Sequence, residues 1–379
     1  MDVVYDLAGM AVKTRYEDLP PKVVEVTKNI IMDSLGVGFA GSGVPGVAPV
    51  IDLVKEWGGR EESTVMVYGL RTTTPDAAFC NSMLIHAPDF DDTDDRSGTH
   101  VFVTALPAAL AVAEKTGASG KELITAVAVG ADITARLALT TKLFHGWHYS
   151  ATVGIFGATV AAGKILGLNE EQMVNALGIA YSQASGNRQG RQDGALTKRL
   201  QPPFAAKAAV TSALLAQKGI TGARNTIEGD WGFYRLYHDY AREYEPGKWA
   251  AALRDGLGTR FEVVNVGLKP YPCVRASHAP IDGALDLAAK YDIKPGDVQE
   301  VTVFTNERVQ ETAGRPFVIR ANPRVDAQFS IAYTVAVALA RRNVALDDFE
   351  ENIIRTPELV NLAEKVKVVV SPEFSKDKS

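Results

Sequence analysis

Residues 143–184 read LFHGWHYSATVGIFGATVAAGKILGLNEEQMVNALGIAYSQA, and the interpretation of this stretch decides the fold. From Leu143 to Gly163 it contains no Lys, Arg, Asp or Glu, and its length is nominally enough to cross a bilayer. It also holds His145, His148, Tyr149, Ser150 and four glycines, which suit a tightly packed protein interior better than lipid. A buried helix is therefore expected over residues 153–166, with no membrane span. Asn169 followed by Gln172 three residues later is a capping-box pattern, so another helix opens at Glu170 and runs over 170–184.

Working outward, apolar residues recur at helical spacing over residues 22–37, 75–85, 103–114, 121–140 and 205–218. Small Ala and Gly side chains crowd these segments and let helices approach closely. The run Thr64-Val65-Met66-Val67-Tyr68 is the one strong strand candidate before residue 260. Beyond it the texture changes: residues 298–305 and 364–370 read as strands, with helices over 279–290 and 329–341. The fold class expected is mainly α, a large all-helical domain over residues 1–265 with a smaller α+β lid domain over 266–370. Its entrance, Gly267-Leu268-Lys269-Pro270-Tyr271-Pro272-Cys273, carries two prolines that break regular structure. A polar tail, 371–379, follows and is expected to fray.

Composition narrows the function classes. The chain has 379 residues, 46% hydrophobic and 22% charged, and a formal charge of -5. A mildly acidic balance gives no overall footprint for nucleic acid. Cys80 and Cys273 are the two cysteines, too few and too distant for a disulfide framework or a zinc site. The N-terminus carries acids where a secretory signal would need a basic start and an apolar run. A reducing, cytoplasmic compartment is the simplest expectation.

Several motifs fail on context. Gly36-Val37-Gly38-Phe39-Ala40-Gly41 satisfies G-x-G-x-x-G but ends a helix, whereas a dinucleotide fingerprint follows a strand and opens a helix. Gly157 to Lys164 is one residue too long for a phosphate loop, and Ile165 stands where a metal-binding hydroxyl belongs. The run Asp89-Phe90-Asp91-Asp92-Thr93-Asp94-Asp95 resembles a calcium loop in its alternate acids, yet Asp94 and His100 occupy the places of the required glycine and glutamate. No metal is expected.

What remains is chemistry for protons and anions. Five carboxylates in seven residues repel one another and raise their own pKa values. His86 and His100 flank them, His145 and His148 lie three apart, and His278 follows the proline-rich junction. Residues 186–199, GNRQGRQDGALTKR, add Arg188, Arg191, Lys198 and Arg199 against a single Asp193. A glycine-rich basic loop suits carboxylates or phosphates. Cations that hold a polycarboxylate, beside imidazoles and carboxylates that move protons, are what removal of hydrogen from a carbon next to a carboxylate needs.

The segments AAFCNSMLIHAPDFDDTDD, HGWHYSATVGIFGATVAAGKILGLNEEQMVNALGIAYSQASG, DGALTKRLQPPFAAKAAVTSALLAQKGITG, LKPYPCVRASHAPIDGAL and AQFSIAYTVAVAL, in this order, resemble the MmgE/PrpD family of 2-methylcitrate dehydratase, cis-aconitate decarboxylase and iminodisuccinate epimerase. The likeness is expected from near the N-terminus to about residue 345. It implies a homodimer, no metal or organic cofactor, and lyase or isomerase chemistry on a di- or tricarboxylate. Carried over by motif, Asp89, Thr93, His100, His148, Lys198, Lys269 and Tyr333 correspond to the family's active site. By chemistry, His100 is the first choice for proton transfer, held by Asp89. Lys198, Lys269, Arg188 and Arg199 are candidates for carboxylates, and His148 and Tyr333 for second donors.

Three departures separate this chain from the decarboxylase pattern. Val274 stands where that branch has a histidine, with His278 a helical turn further on as a possible substitute. Val101 follows His100 where proline is usual, in a loop one residue longer. The chain stops at Ser379, where the family ordinarily continues back to the helical domain. The expected activity is a dehydratase on a 2-methylcitrate-like hydroxy-tricarboxylate; an epimerase of a dicarboxylate and a cis-aconitate-type decarboxylase are the alternatives. The reading outside enzymes is a helical dimer whose acidic loop binds calcium or a protein partner.

Overall fold

In the computed structural model, which describes residues 1–141, 146–238 and 243–375, the charge-free stretch becomes helix Gly154–Ile165. Every residue from Gly154 to Gly163 is buried. The helix lies against Phe102–Thr116, Gly120–Thr140 and Thr197–Gln217, and the glycines are what allow it. A Cβ on Gly157 would collide with the Gly130 carbonyl and the Thr134 hydroxyl, so the two backbones touch where those helices cross. Ile155, Phe156 and Val160 fill the space around the crossing, each worth roughly 1.5–3 kcal/mol when fully removed from water. At the helix end Lys164 extends its ammonium to the carbonyls of Ala11 (2.8 Å) and Thr14 (2.5 Å), acceptors at the C-terminal end of helix Val4–Lys13.

The chain divides into two compact units. The first comprises Met1–Ala87, Asp91–Gln189 and Thr197–Leu268. Its expected helices appear as Pro21–Gly41, Thr74–His86, Phe102–Thr116, Gly120–Thr140, Glu170–Tyr181 and Thr197–Gln217. The capping box forms as read: Asn169 Oδ1 accepts from Gln172 N at 2.9 Å, and Gln172 Oε1 from Asn169 N at 3.1 Å. Gly120–Thr140 is long and apolar enough to cross a membrane, but 78% of that window is buried inside the protein, as in a core helix. Gly36 to Gly41 lies in the last turns of Pro21–Gly41, where Gly41 seats its backbone on the Leu84 carbonyl.

Two expectations fail locally. Of residues 64–68 only Thr64 is in a strand: Ser63–Thr64 pairs antiparallel with Arg71–Thr72, and Val65 to Gly69 close a tight hairpin. Val67 (φ 67°) and Gly69 (φ 63°) take left-handed backbone there, and the Asn81 side chain bonds Met66 N and Thr64 O. Among the described residues, this hairpin holds the one two-stranded sheet of the otherwise mainly helical first unit. Helix Thr197–Gln217 begins eight residues before the position expected, because it runs through Pro202 and Pro203. Neither proline can donate to the carbonyls of Lys198 and Arg199, which the helix otherwise would satisfy.

The second unit comprises Pro88–Phe90, Gly190–Leu196 and Lys269–Ser379. Strands Val301–Thr305 and Val366–Val370 pair in parallel, in register from Val301 with Val366 to Thr305 with Val370. Parallel pairing needs a long crossover, supplied by the helices between them, including Ile331–Arg341 and Pro357–Glu364. Helix His278–Tyr291 packs on Ile331–Arg341 around Ile281, Ala332 and Val335. Part of the expected frayed tail forms the short helix Pro372–Ser375. The described residues are mainly helical, and each sheet has two strands.

Candidate active site

In the first unit Asp91 of the acidic run meets two imidazoles, and a third ring stands beside them. Asp91 is fully buried, with Oδ2 2.8 Å from Nδ1 of His86 and 3.5 Å from Nδ1 of His100. Nδ1 of His100 also lies 2.5 Å from the Asp92 carbonyl oxygen. A carbonyl can only accept, so Nδ1 carries the proton and Nε2 of the neutral ring keeps its lone pair. The His100 side chain is 16% exposed, whereas that of His86 is sealed, so His100 is the ring a ligand can reach. Ring centroids separate His86 from His100 by 5.4 Å and from His148 by 5.8 Å. The His100 backbone N–H donates to Ser150 Oγ at 3.0 Å, which ties the acidic loop to the turn bearing His148.

Burial, with the positive fields of His86, Lys198, His100 and Arg188 adding to it, holds the pKa of His148 well below the ordinary imidazole value. His148 Nδ1 is buried and has no hydrogen-bond partner among the described residues. It is a neutral ring with an unspent nitrogen. Lys198 is buried in the first turn of Thr197–Gln217, and the Arg188 guanidinium carbon sits 5.9 Å from the Tyr149 ring centroid.

The surrounding carboxyls are not all charged. Asp92 accepts the backbone N–H groups of Val101 (2.8 Å) and Phe102 (3.2 Å) at the head of helix Phe102–Thr116, yet burial and the neighbouring Asp91 keep its pKa well above the usual range. Burial and Asp91 likewise raise Asp33 to about 6. Asp33 Oδ2 is buried without a hydrogen-bond partner among the described residues. Sequence reading missed Asp33; the available signal was an acid beside the buried stripe Ile30, Ser34 and Val37 of its helix.

The loop spends its other groups on the chain itself. Asp94 accepts from Arg96 Nε and Ser97 Oγ at 3.0 Å each, and Arg96 reaches Glu262 at 2.7 Å. Thr93 exchanges backbone hydrogen bonds with Gly267 (2.9 and 2.8 Å), and its hydroxyl points to Asp95 at 3.4 Å. Behind them, buried Arg136 pairs with Asp132 at 2.8 Å and donates to the carbonyls of Leu253, Asp255, Gly256 and Arg260. Asp132 accepts the Glu262 N–H, so this clasp fixes the segment that holds Arg96.

Other expected site residues are placed differently. Arg199, expected to grip substrate, is 2% exposed and donates to the Pro45 carbonyl at 2.9 Å. It is a packed side chain in a helix, not part of a flexible loop. In the second unit Lys269 donates to the Asp89 carbonyl at 2.9 Å and to its carboxylate at 3.3 Å, with both side chains buried. Asp89 takes φ 55°; within the first unit, Asp91 and the Asp92 carbonyl orient His100. His278 donates from Nε2 to the Cys273 carbonyl at 3.2 Å, and its buried Nδ1 has no partner among the described residues. Burial, with Lys269 and Arg275, lowers it to about 4. Tyr333, expected as a second donor, is fully buried between Phe317 and Phe349, and its hydroxyl is committed to the Asp348 carbonyl. His145 lies outside the described residues.

Residues 5–244 match the MmgE/PrpD N-terminal domain and residues 271–379 the MmgE/PrpD C-terminal domain. The chain belongs to the MmgE/PrpD family. The match reaches residue 379, beyond the point near 345 where the likeness was expected to end. Cis-aconitate decarboxylase of Aspergillus terreus is 27% identical over 391 residues, which is 99% of this chain and 80% of that enzyme. The Homo sapiens cis-aconitate decarboxylase is 28% identical over 94% of this chain and 74% of its own length. The 2-methylcitrate dehydratase of Cupriavidus necator is 23% identical over 96% of this chain and 77% of its own. These relatives are enzymes, and both named activities are lyase reactions.

Proposed function

We propose that this family member is a cofactor-independent lyase that eliminates water from a hydroxy-tricarboxylate of the 2-methylcitrate type. The observation that carries the reading is the His100 ring. Its Nδ1 is fixed by the Asp92 carbonyl and Asp91, and its part-exposed ring presents the other nitrogen as the base. Nε2 takes the proton from the carbon beside a carboxylate, and the C–H electron pair forms the new double bond. The C–O bond breaks, and the leaving hydroxide takes a proton from the Lys198 ammonium to depart as water. Neutral His148 hydrogen-bonds the departing oxygen, while Arg188 offsets charge that builds on the substrate carboxylate.

A second reading, decarboxylation of a cis-aconitate-like acid, draws on the decarboxylase relatives that align with 94–99% of the chain. Against it, Val274 occupies the place of that branch's histidine, and His278 Nε2 is engaged by the Cys273 carbonyl. Proton NMR in heavy water separates the two. Incubation with 2-methylcitrate and citrate should show loss of hydroxy acid and growth of an unsaturated one. Carbon dioxide release from cis-aconitate, without dehydration of either hydroxy acid, would establish the second reading instead.

Free, buried Cys80 and Cys273 agree with a cytoplasmic setting. Exposed Met32 and Phe39 on one helix support assembly as a homodimer, which light scattering tests.

A further inference from the structure

We propose that the second unit binds a small oxyanion, a phosphate or a short dicarboxylate, in an arginine-lined cavity separate from the residues assigned to the lyase reaction. The cavity measures about 290 Å³, close to the lower end of the range for small-ligand sites. Arg191 lines it from one stretch of chain and Arg315 and Arg320 from another, with Phe317 and Phe329 as apolar walls. None of Asp89, Lys269, His278 or Tyr333 contributes to the lining.

The three guanidiniums are not equivalent. Arg320 is held in place: Asp326 receives its Nε at 2.8 Å and its Nη2 at 2.5 Å, and the Gln192 carbonyl receives Nη1 at 2.6 Å. Asp326 is thereby committed to orienting an arginine. The Arg191 guanidinium carbon lies 5.9 Å from the Phe329 ring centroid, a planar cation laid over an aromatic face. Arg315 has no ion pair or hydrogen bond through its side chain among the described residues. It stands in the partition between this cavity and a second one of about 400 Å³, so open space flanks it on both sides. Glu311 is the other carboxylate in the lining, which leaves the cavity one positive charge in excess.

One guanidinium oriented by protein, one stacked on a ring and one with no partner make a receptor for an oxyanion, because a guanidinium gives parallel N–H donors to two oxygens at once. The cavity volume admits a phosphate or a four-carbon diacid.

Calorimetric titration of the full chain with inorganic phosphate, and separately with succinate, tests this. The titrations are repeated in Lys198→Gln, which disables anion binding at the proposed active site. Saturable binding of at least one anion should survive in that variant. It should then weaken about ten-fold or more when Arg315→Gln or Arg191→Gln is added, the loss expected for one charged hydrogen-bonding group. The tighter anion identifies the ligand class. Arg315 is exposed, so thermal unfolding of Arg315→Gln should match that of its parent and exclude misfolding as the cause. Failure of both anions to bind in the Lys198→Gln protein would overturn the proposal, as would binding that neither arginine substitution changes. Lyase turnover is not the readout, so this result stands apart from the test of the proposed reaction.

Discussion

Asp89 and Asp91 are two residues apart in one acidic run, yet they have opposite fates. Asp89 belongs to the second unit and is neutralised by the buried Lys269 ammonium; Asp91 belongs to the first and is faced by imidazoles and by other carboxyls. In the buried pair of Asp89 and Lys269 each charge offsets part of the other's cost of burial. Around Asp91 the charges are incompletely matched, with Asp33 and Asp92 pushed up and His148 pushed down. Strongly shifted groups cluster where protons are moved, which is why the first unit carries the proposed reaction.

The largest effect on this contrast should come from His100→Ala, which removes the accessible base while leaving Asp91 and His86 in place. Turnover in the NMR assay should fall by about 10²–10⁴, with circular dichroism unchanged. An active His100→Ala protein would move the base elsewhere.

Lys269→Met attacks the other half of the comparison. It strands the Asp89 carboxylate in the interior and should cost about 3–5 kcal/mol of stability in urea denaturation. Adding Asp89→Asn should return a good part of that loss, as expected if the pair is chiefly a matter of compensated burial. A Lys269→Met protein as stable as the parent would contradict that offset.

Asp91→Asn should lower kcat about 10–100-fold and change the acid limb of its pH profile, since His86 and His100 lose the carboxylate between them. Binding of substrate should change much less. An unaltered pH profile would mean that Asp91 does not set the protonation of the histidines.

The smallest effects are opposite pH dependences in the two units. Asp33 is raised to about 6 in the folded state, so between its unfolded value near 4 and pH 6 the native state holds the extra proton, and stability falls as pH rises. Asp33→Asn should therefore gain stability relative to the parent above pH 6 and gain little at pH 4. His278 is lowered to about 4, so between its unfolded value near 6.5 and pH 4 the unfolded state holds the extra proton, and stability falls as pH falls. His278→Gln should improve relative to the parent on acidification over that window. Urea titrations at several pH values measure both, and parallel pH trends for the two variants would contradict the assignment.

Much of this was legible in the chain itself. Helical periodicity and the Asn169–Gln172 cap located the helices, because those signals are local. His100 stood out because it flanks the acidic run, and His148 through its spacing from His145 and its motif. Asp33 did not stand out, because one acid on an amphipathic helix looks like an ordinary solvent-facing residue until the burial of its oxygen is known. Arg199 was read as a carboxylate grip from its basic segment and Tyr333 as a donor from its motif; their polar ends meet the carbonyls of Pro45 and Asp348. A motif fixes residue type and position along the chain, not the direction of a side chain. The hairpin at 63–72 failed for a related reason: β-branched composition suggested a strand, and the left-handed turn at Val67 overrode it.

The amino-acid order by itself determined the helical class, the division of composition near residue 265 and the family, since all three rest on periodicity and ordered motifs that need no third dimension. Tertiary structure alone decided which carboxylate meets a lysine and which meets an imidazole. Proton affinity depends on distance and burial, and residues far apart in sequence, such as His148 and Lys198 or Asp33 and Asp91, acquire both only when the chain has folded.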